Sequence, residues 1–352
     1  MKSLVCLCFV FGSVAHPVLG EDTLDAAIDA VAPGIEKWAS VCLVKTEVTG
    51  QLSFEWIDYR GTGSSSHFWP ASTVKLFTAV AACERLQEEQ LSLDTTVTFG
   101  HEEAGAGLWR TDSARTVREM ISEVFKRSSN EDYTLLLRLC GIDRINTSFL
   151  TSERGFPGTA LMRGYTAERP WCYVQREKQR LILQDGPEYP PRLMEHSWSG
   201  RDYSAERGIT VKFAENGNVT RPRVLCDCLR RVLFHAELPD TERFRISDEQ
   251  ARFLKEGSPG GFHGLETRIG DEGPTLWQEA WAEVFPKARH FQKTGLISNY
   301  ALDLCGIDDR ANGGPCFLLC AAINAGHATK PIDGEQLVSQ FTRAIARWVR
   351  DR

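Results

Sequence analysis

Long apolar runs are scarce in this chain. Beyond the first twenty residues no stretch is apolar for long enough to cross a bilayer, so no stable membrane span is expected. An excess of positive charge is also lacking. The 41 Lys and Arg stand against 47 Asp and Glu, a net charge of −6, and this leaves no basic face for nucleic acid. There is no Cys-x-x-Cys pair and no His-Glu-x-x-His, which argues against a zinc site. No Gly-x-Ser-x-Gly elbow occurs, which disfavours a conventional Ser-His-Asp hydrolase. Repeats and low-complexity tracts are likewise missing, and the length suits one large domain or two intertwined ones.

The first twenty residues stand apart. Lys2 precedes the apolar run Leu4–Phe11 and the small residues Gly12–Ala15, the pattern of a secretory signal over residues 1–20. Cleavage is placed after Gly20, with Ala15 as the other position, and the protein is expected to be exported, periplasmic or extracellular. The alternative reading of the run is a buried N-terminal helix. Nine cysteines lie beyond Gly20, several in apolar runs such as Cys316–Cys320, where free thiols act as small core residues.

Strand patterns occur at both ends of the chain. Val41–Lys45 and Ser53–Asp58 read as strands joined by a turn at Thr49-Gly50. His290–Leu296, Tyr300–Ile307 and Cys316–Ile323 read as an antiparallel meander. A helix from Ser72 to Gln87, apolar nearly all round, reads as a buried central helix. The middle reads as mainly helical, with helices at Thr116–Lys126, Glu131–Cys140 and Pro222–Phe234 and a capped one beginning at Ser247. A final amphipathic helix starts near Glu335. The expected fold is an α/β (α+β) sandwich. Residues 21–75 and 285–352 supply one antiparallel sheet with the first and last helices on one face. Residues 76–284 form an inserted helical domain with an extended loop region at 162–217.

Three short patterns bear on chemistry. Ser72-Thr73-Val74-Lys75 is the only Ser-x-x-Lys in the chain, and a three-residue helical spacing puts both side chains on one face. Ser72 falls at the helix start, where unpaired N–H groups favour negative charge. Lys75 lies one turn deeper, where burial lowers its pKa and lets it take a proton from a hydroxyl. A surface Ser and Lys at this spacing are equally commonplace. Ser128-Ser129-Asn130 follows Lys75 by 53 residues, between two helices. Asn130 offers a donor and an acceptor for an amide, Ser128 offers a proton relay, and the plain alternative is a helix N-cap. Lys293-Thr294-Gly295 lies 165 residues after Ser128. Lys293 and Thr294 suit a substrate carboxylate, Gly295 permits close approach, and the Leu296 N–H can join that of Ser72 in an oxyanion hole. The alternative is an edge strand with a solvated lysine.

Taken together, in this order and context, the three patterns resemble the signature of the serine β-lactamase and penicillin-binding protein superfamily, and of class A β-lactamases in particular. Thr116–Ile121, Asn130–Gly141, Asn218–Pro222 and the strands after Lys293 are similar to the corresponding family segments. The resemblance implies an acyl-enzyme on Ser72 formed from a β-lactam or a D-alanyl peptide. Lys75 and Ser128 would be catalytic, and Asn130, Lys293, Thr294, Gly295 and Leu296 would bind substrate. It implies no metal and no organic cofactor. Other readings are a D-alanyl-D-alanine peptidase or esterase, or a penicillin-binding sensor domain without turnover. Two departures stand out. Ser129 occupies the place of the class A Asp, and the family's Glu-x-x-x-Asn arrangement is missing from residues 162–217, leaving Glu168 as the candidate deacylating base on position alone.

Overall fold

The apolar runs from the two ends of the chain meet in one sheet. In the computed structural model, which describes residues 23–31, 33–102, 108–165, 178–209, 217–267, 276–297, 300–325 and 333–352, ten strands are present. They are β1 (Glu36–Thr46), β2 (Leu52–Asp58), β3 (Thr96–Glu102), β4 (Trp109–Thr116), β5 (Gln179–Gln184), β6 (Arg192–His196), β7 (Glu266–Thr267), β8 (Arg289–Ile297), β9 (Tyr300–Asp308) and β10 (Cys316–Asn324). The larger sheet runs β2-β1-β10-β9-β8-β7, with every neighbouring pair antiparallel. Gly50, at φ 82°, makes the β1–β2 turn that its sequence predicts.

Helices cover both faces of this sheet, so its central strands are apolar without alternation. Every residue of β10 is buried, and so are eight of the nine in β9. Against one face pack the helices Leu24–Val31, Leu276–Val284 and Gly334–Arg350, with Ile28, Trp281 and Phe341 in contact with strand residues such as Phe317 and Leu319. The expectation that the first helix read, Ser72–Gln87, shares a face with the last is thus not met: Lys75–Glu89 lies on the side opposite Gly334–Arg350, whose companion is Leu24–Val31, a helix without a strong sequence signal. The opposite face receives the helix Pro222–Leu233 and, beyond it, the helix Lys75–Glu89. Ser247 forms a capping box with Gln250 on the helix Asp248–Glu256, as the sequence anticipates, and Asp333 caps the last helix.

The middle of the chain has its helices at Val117–Lys126, Asn130–Cys140 and Pro222–Leu233. It also carries a second sheet, β4-β3-β5-β6, that was not read from the sequence. Its strands are short and charged, with cross-strand contacts such as Lys178 and Arg180 on Glu195. A helical reading of residues 76–284 as a whole therefore needs this sheet added. The expected signal segment lies outside the described residues. Among the described residues no helix is long and apolar enough to cross a membrane.

Candidate active site

The Ser72 turn begins with a strained backbone. Residues Ala71–Val74 form a 3₁₀ turn that runs into the α-helix Lys75–Glu89, and Ala71 sits at φ 44°. Such a conformation costs about 1–3 kcal/mol for a residue with a side chain, and surrounding packing must hold it. Tyr300 does part of that, donating its hydroxyl hydrogen to the Trp69 carbonyl at 2.5 Å. Strand β8 does more. A Cβ on Gly295 would lie 2.9 Å from Ala71 Cβ and 3.1 Å from Ser72 N, so only glycine lets the strand pass this close to the serine.

The predicted residues converge. Lys75, buried, places Nζ 3.1 Å from Ser72 Oγ, 3.0 Å from Ser128 Oγ and 2.7 Å from Asn130 Oδ1, and it also donates to the Ser128 carbonyl. Lys293 reaches the same hydroxyl from β8, with Nζ 2.9 Å from Ser128 Oγ and 3.0 Å from the Thr294 carbonyl. The Ser128 hydroxyl therefore lies between the amino groups of two lysines. Thr294 is half-buried beside them, and the Leu296 side chain is exposed, so only its backbone is available to the site. Ser128 holds its position at φ 55°, the second strained residue of the site.

Electrostatics follow from burial. Loss of water, with the charge of Lys293 second, brings Lys75 down to about 6, while Asp132 pulls the other way. Lys293 falls to about 7 because it is enclosed. Near neutral pH Lys75 is then largely an amine. Its two N–H groups suit the Ser128 carbonyl and Asn130 Oδ1, which are acceptors only, and its lone pair is left for a hydroxyl.

The alternative reading of the second motif is also realised, one residue along. Ser129 caps the helix Asn130–Cys140: its Oγ accepts from the Asp132 N–H at 3.2 Å and donates to Asp132 Oδ2 at 2.6 Å. Buried Asp132 pairs with Arg115 of β4 at 2.8 Å. So Ser129 holds the loop while Ser128 and Asn130 turn to the lysines. Asp132 drew no notice in the sequence, although Ser followed three residues later by an acid is a capping signal.

Aromatic residues that the sequence analysis missed hold the start of the long loop against this site. Tyr165 lies 4.9 Å from Tyr133 and 6.4 Å from Trp69, centroid to centroid. Asn218 closes the loop's base, accepting from the Met162 and Arg163 amides and donating to the Tyr133 and Tyr165 hydroxyls. The only sequence hint was the Asn218–Pro222 segment, read as a helix start. Glu168 lies outside the described residues. Among the described residues no carboxylate is hydrogen-bonded to Ser72 or Lys75, and no cluster of acidic, His and Cys side chains could hold a metal ion.

A buried lysine in hydrogen-bond reach of two serine hydroxyls, beside an antiparallel sheet flanked by helices, suits a serine hydrolase of the acyl-enzyme class. The model of the beta-lactamase enzyme family matches residues 50–251, and the chain belongs to that family; it is a serine hydrolase of the β-lactamase type. A search of curated proteins gives no match. Among solved structures, a β-lactamase from Burkholderia ambifaria is similar at 15% identity and TM-score 0.54, covering 92% of this chain and 97% of its own. The class A β-lactamase of Mycobacterium abscessus gives 15% and 0.53, with 93% and 98% covered. A β-lactamase from Xanthomonas campestris gives 18% and 0.52, with 93% and 96% covered. These likenesses show that the expected α/β fold, with antiparallel sheets flanked by helices, is the observed one.

Proposed function

We propose that this protein is an exported enzyme that opens a β-lactam, or a related amide, through an acyl-enzyme on Ser72. Ser72 Oγ attacks the carbonyl carbon and its proton passes to Lys75 Nζ. The oxyanion is taken by the amides of Ser72 and Leu296, Gly295 letting strand β8 pass close to the Ser72 amide. Ser128 then gives its proton to the departing nitrogen and is reprotonated from the lysine pair. Asn130 orients the substrate amide, and Lys293 with Thr294 receives its carboxylate. The observation that carries this reading is the Ser128 hydroxyl held within 3.0 Å of Lys75 and 2.9 Å of Lys293. It is a continuous proton path from nucleophile to leaving group.

Release of the acyl group needs a base for water. The missing Glu-x-x-x-Asn arrangement favours a second reading, a peptidase, esterase or penicillin sensor that keeps its acyl group; Glu168 is the residue whose substitution tests the first. The experiment is the intact mass of the protein after brief and long exposure to a penicillin, beside Ser72→Ala. An adduct that forms and disappears as the drug is consumed supports the lactamase, and one that persists supports the second reading. Full labelling of Ser72→Ala refutes both. Export is supported by the charge and apolar run of residues 2–11, and N-terminal sequencing of protein recovered outside the cytoplasm checks it.

A further inference from the structure

On another part of the molecule, a cavity of about 380 Å³ opens between β2 and the start of the helix Pro222–Leu233. None of the residues assigned to the Ser72 site lines it. The volume falls in the range of small-ligand sites. One side is apolar, from Trp56, Pro157 and Val224, and Arg223 stacks its guanidinium 5.3 Å from the Trp56 ring centre. The other side is cationic.

The charges there do not balance. Arg223 is paired with Asp58 at 2.7 Å, and Asp227 is taken by Arg230 at 2.7 Å. Arg221 has no carboxylate partner among the described residues. Its Nε donates to His67 Nε2 at 3.1 Å and its Nη1 to the Ser64 carbonyl at 3.0 Å. Both partners are neutral, since a ring nitrogen that accepts from a guanidinium is unprotonated. Burial and the Arg221 charge both hold His67 in that state. Among the described residues the Nη2 group and the second Nη1 hydrogen are left without an acceptor, and together they fit the two oxygens of a carboxylate.

We propose that this cavity binds a small monocarboxylate with a flat apolar body, its carboxylate on Arg221 and its body on Trp56, Pro157 and Val224. Benzoate is the probe, and benzamide, its uncharged isostere, is the control. Because Lys293 is itself proposed to receive a carboxylate, binding is measured by calorimetry in the intact chain and in Lys293→Gln. Saturable benzoate binding is expected in both, with benzamide at least tenfold weaker. Arg221→Gln, whose amide nitrogen falls where Nε was and keeps a donor for His67 Nε2, should weaken benzoate at least tenfold. Ser152→Trp, which adds bulk at another lining residue and leaves the guanidinium itself in place, should do the same. The assignment is overturned if the intact chain binds no benzoate or binds benzamide equally well. Loss of benzoate binding in Lys293→Gln, or its survival in both cavity variants, overturns it too.

Discussion

The two sheets of this protein treat water in opposite ways. In β9 and β10 of the larger sheet nearly every residue is buried, because helices lie on both faces. In β4 of the smaller sheet no residue is fully buried, and β5 alternates, with Gln179, Leu181 and Leu183 inward and Ile182 exposed. The lysines make the same contrast. Lys293 of β8 is buried among groups it does not neutralise, whereas Lys178, beside β5, is paired with Glu195 at 2.6 Å and 44% exposed. A covered sheet can strip a lysine of water and so change its protonation; a half-open sheet spends its lysines on solvated ion pairs. The proposed chemistry therefore sits on the larger sheet.

Substitutions should separate the two sheets by size of effect. Phe317→Ala, at a fully buried position of β10, should lower unfolding free energy by about 3–5 kcal/mol in denaturant titration. Gly295→Val on β8 should slow acylation about a hundredfold while far-UV circular dichroism stays unchanged, since the new side chain displaces the Ser72 turn. Next comes pH. Lys75 must be neutral to accept a proton, so kcat/KM should rise with pH through about 6. Lys293 must be charged to hold an anion, so the rate should fall through about 7, and the two limbs describe the pair together. Lys293→Arg should move the falling limb to higher pH, whereas Lys178→Met should leave the profile alone. Smallest of all, Leu193→Ala on the exposed face of β6 should change stability by no more than about 0.5 kcal/mol. A large effect there would show that this face is covered in the working protein.

The same contrast explains what could be read in advance. Strands buried on both faces leave long apolar runs, as in β9 and β10, and these two with the more polar β8 beside them were placed to within two residues at either end. The half-open strands mix Arg, Gln, Glu and Thr with few apolar positions, so β4 and β6 carry no clean period. At the site, Ser72, Lys75, Ser128, Asn130 and Lys293 were legible because local spacing and order encode them. Asp132, Tyr165 and Asn218 were not, because each acts on a partner distant in sequence or through a helix cap that many serines share. Positive φ at Ala71 and Ser128 is imposed by tertiary packing on residues that ordinarily avoid it, and no local pattern announces it.

The pairing of β1 with β10 joins residues 36–44 to residues 316–324. Its consequence is one of timing. As the chain emerges from the ribosome, Ser72 and Lys75 appear early, but β8 with Lys293 cannot be seated until β9 and β10 have followed. Until then Ser72 has neither the glycine strand at its side nor the second lysine on its relay. On the proposed mechanism Ser72 is therefore armed only once residues 289–324 are in place, and a chain lacking them is expected to form no acyl-enzyme.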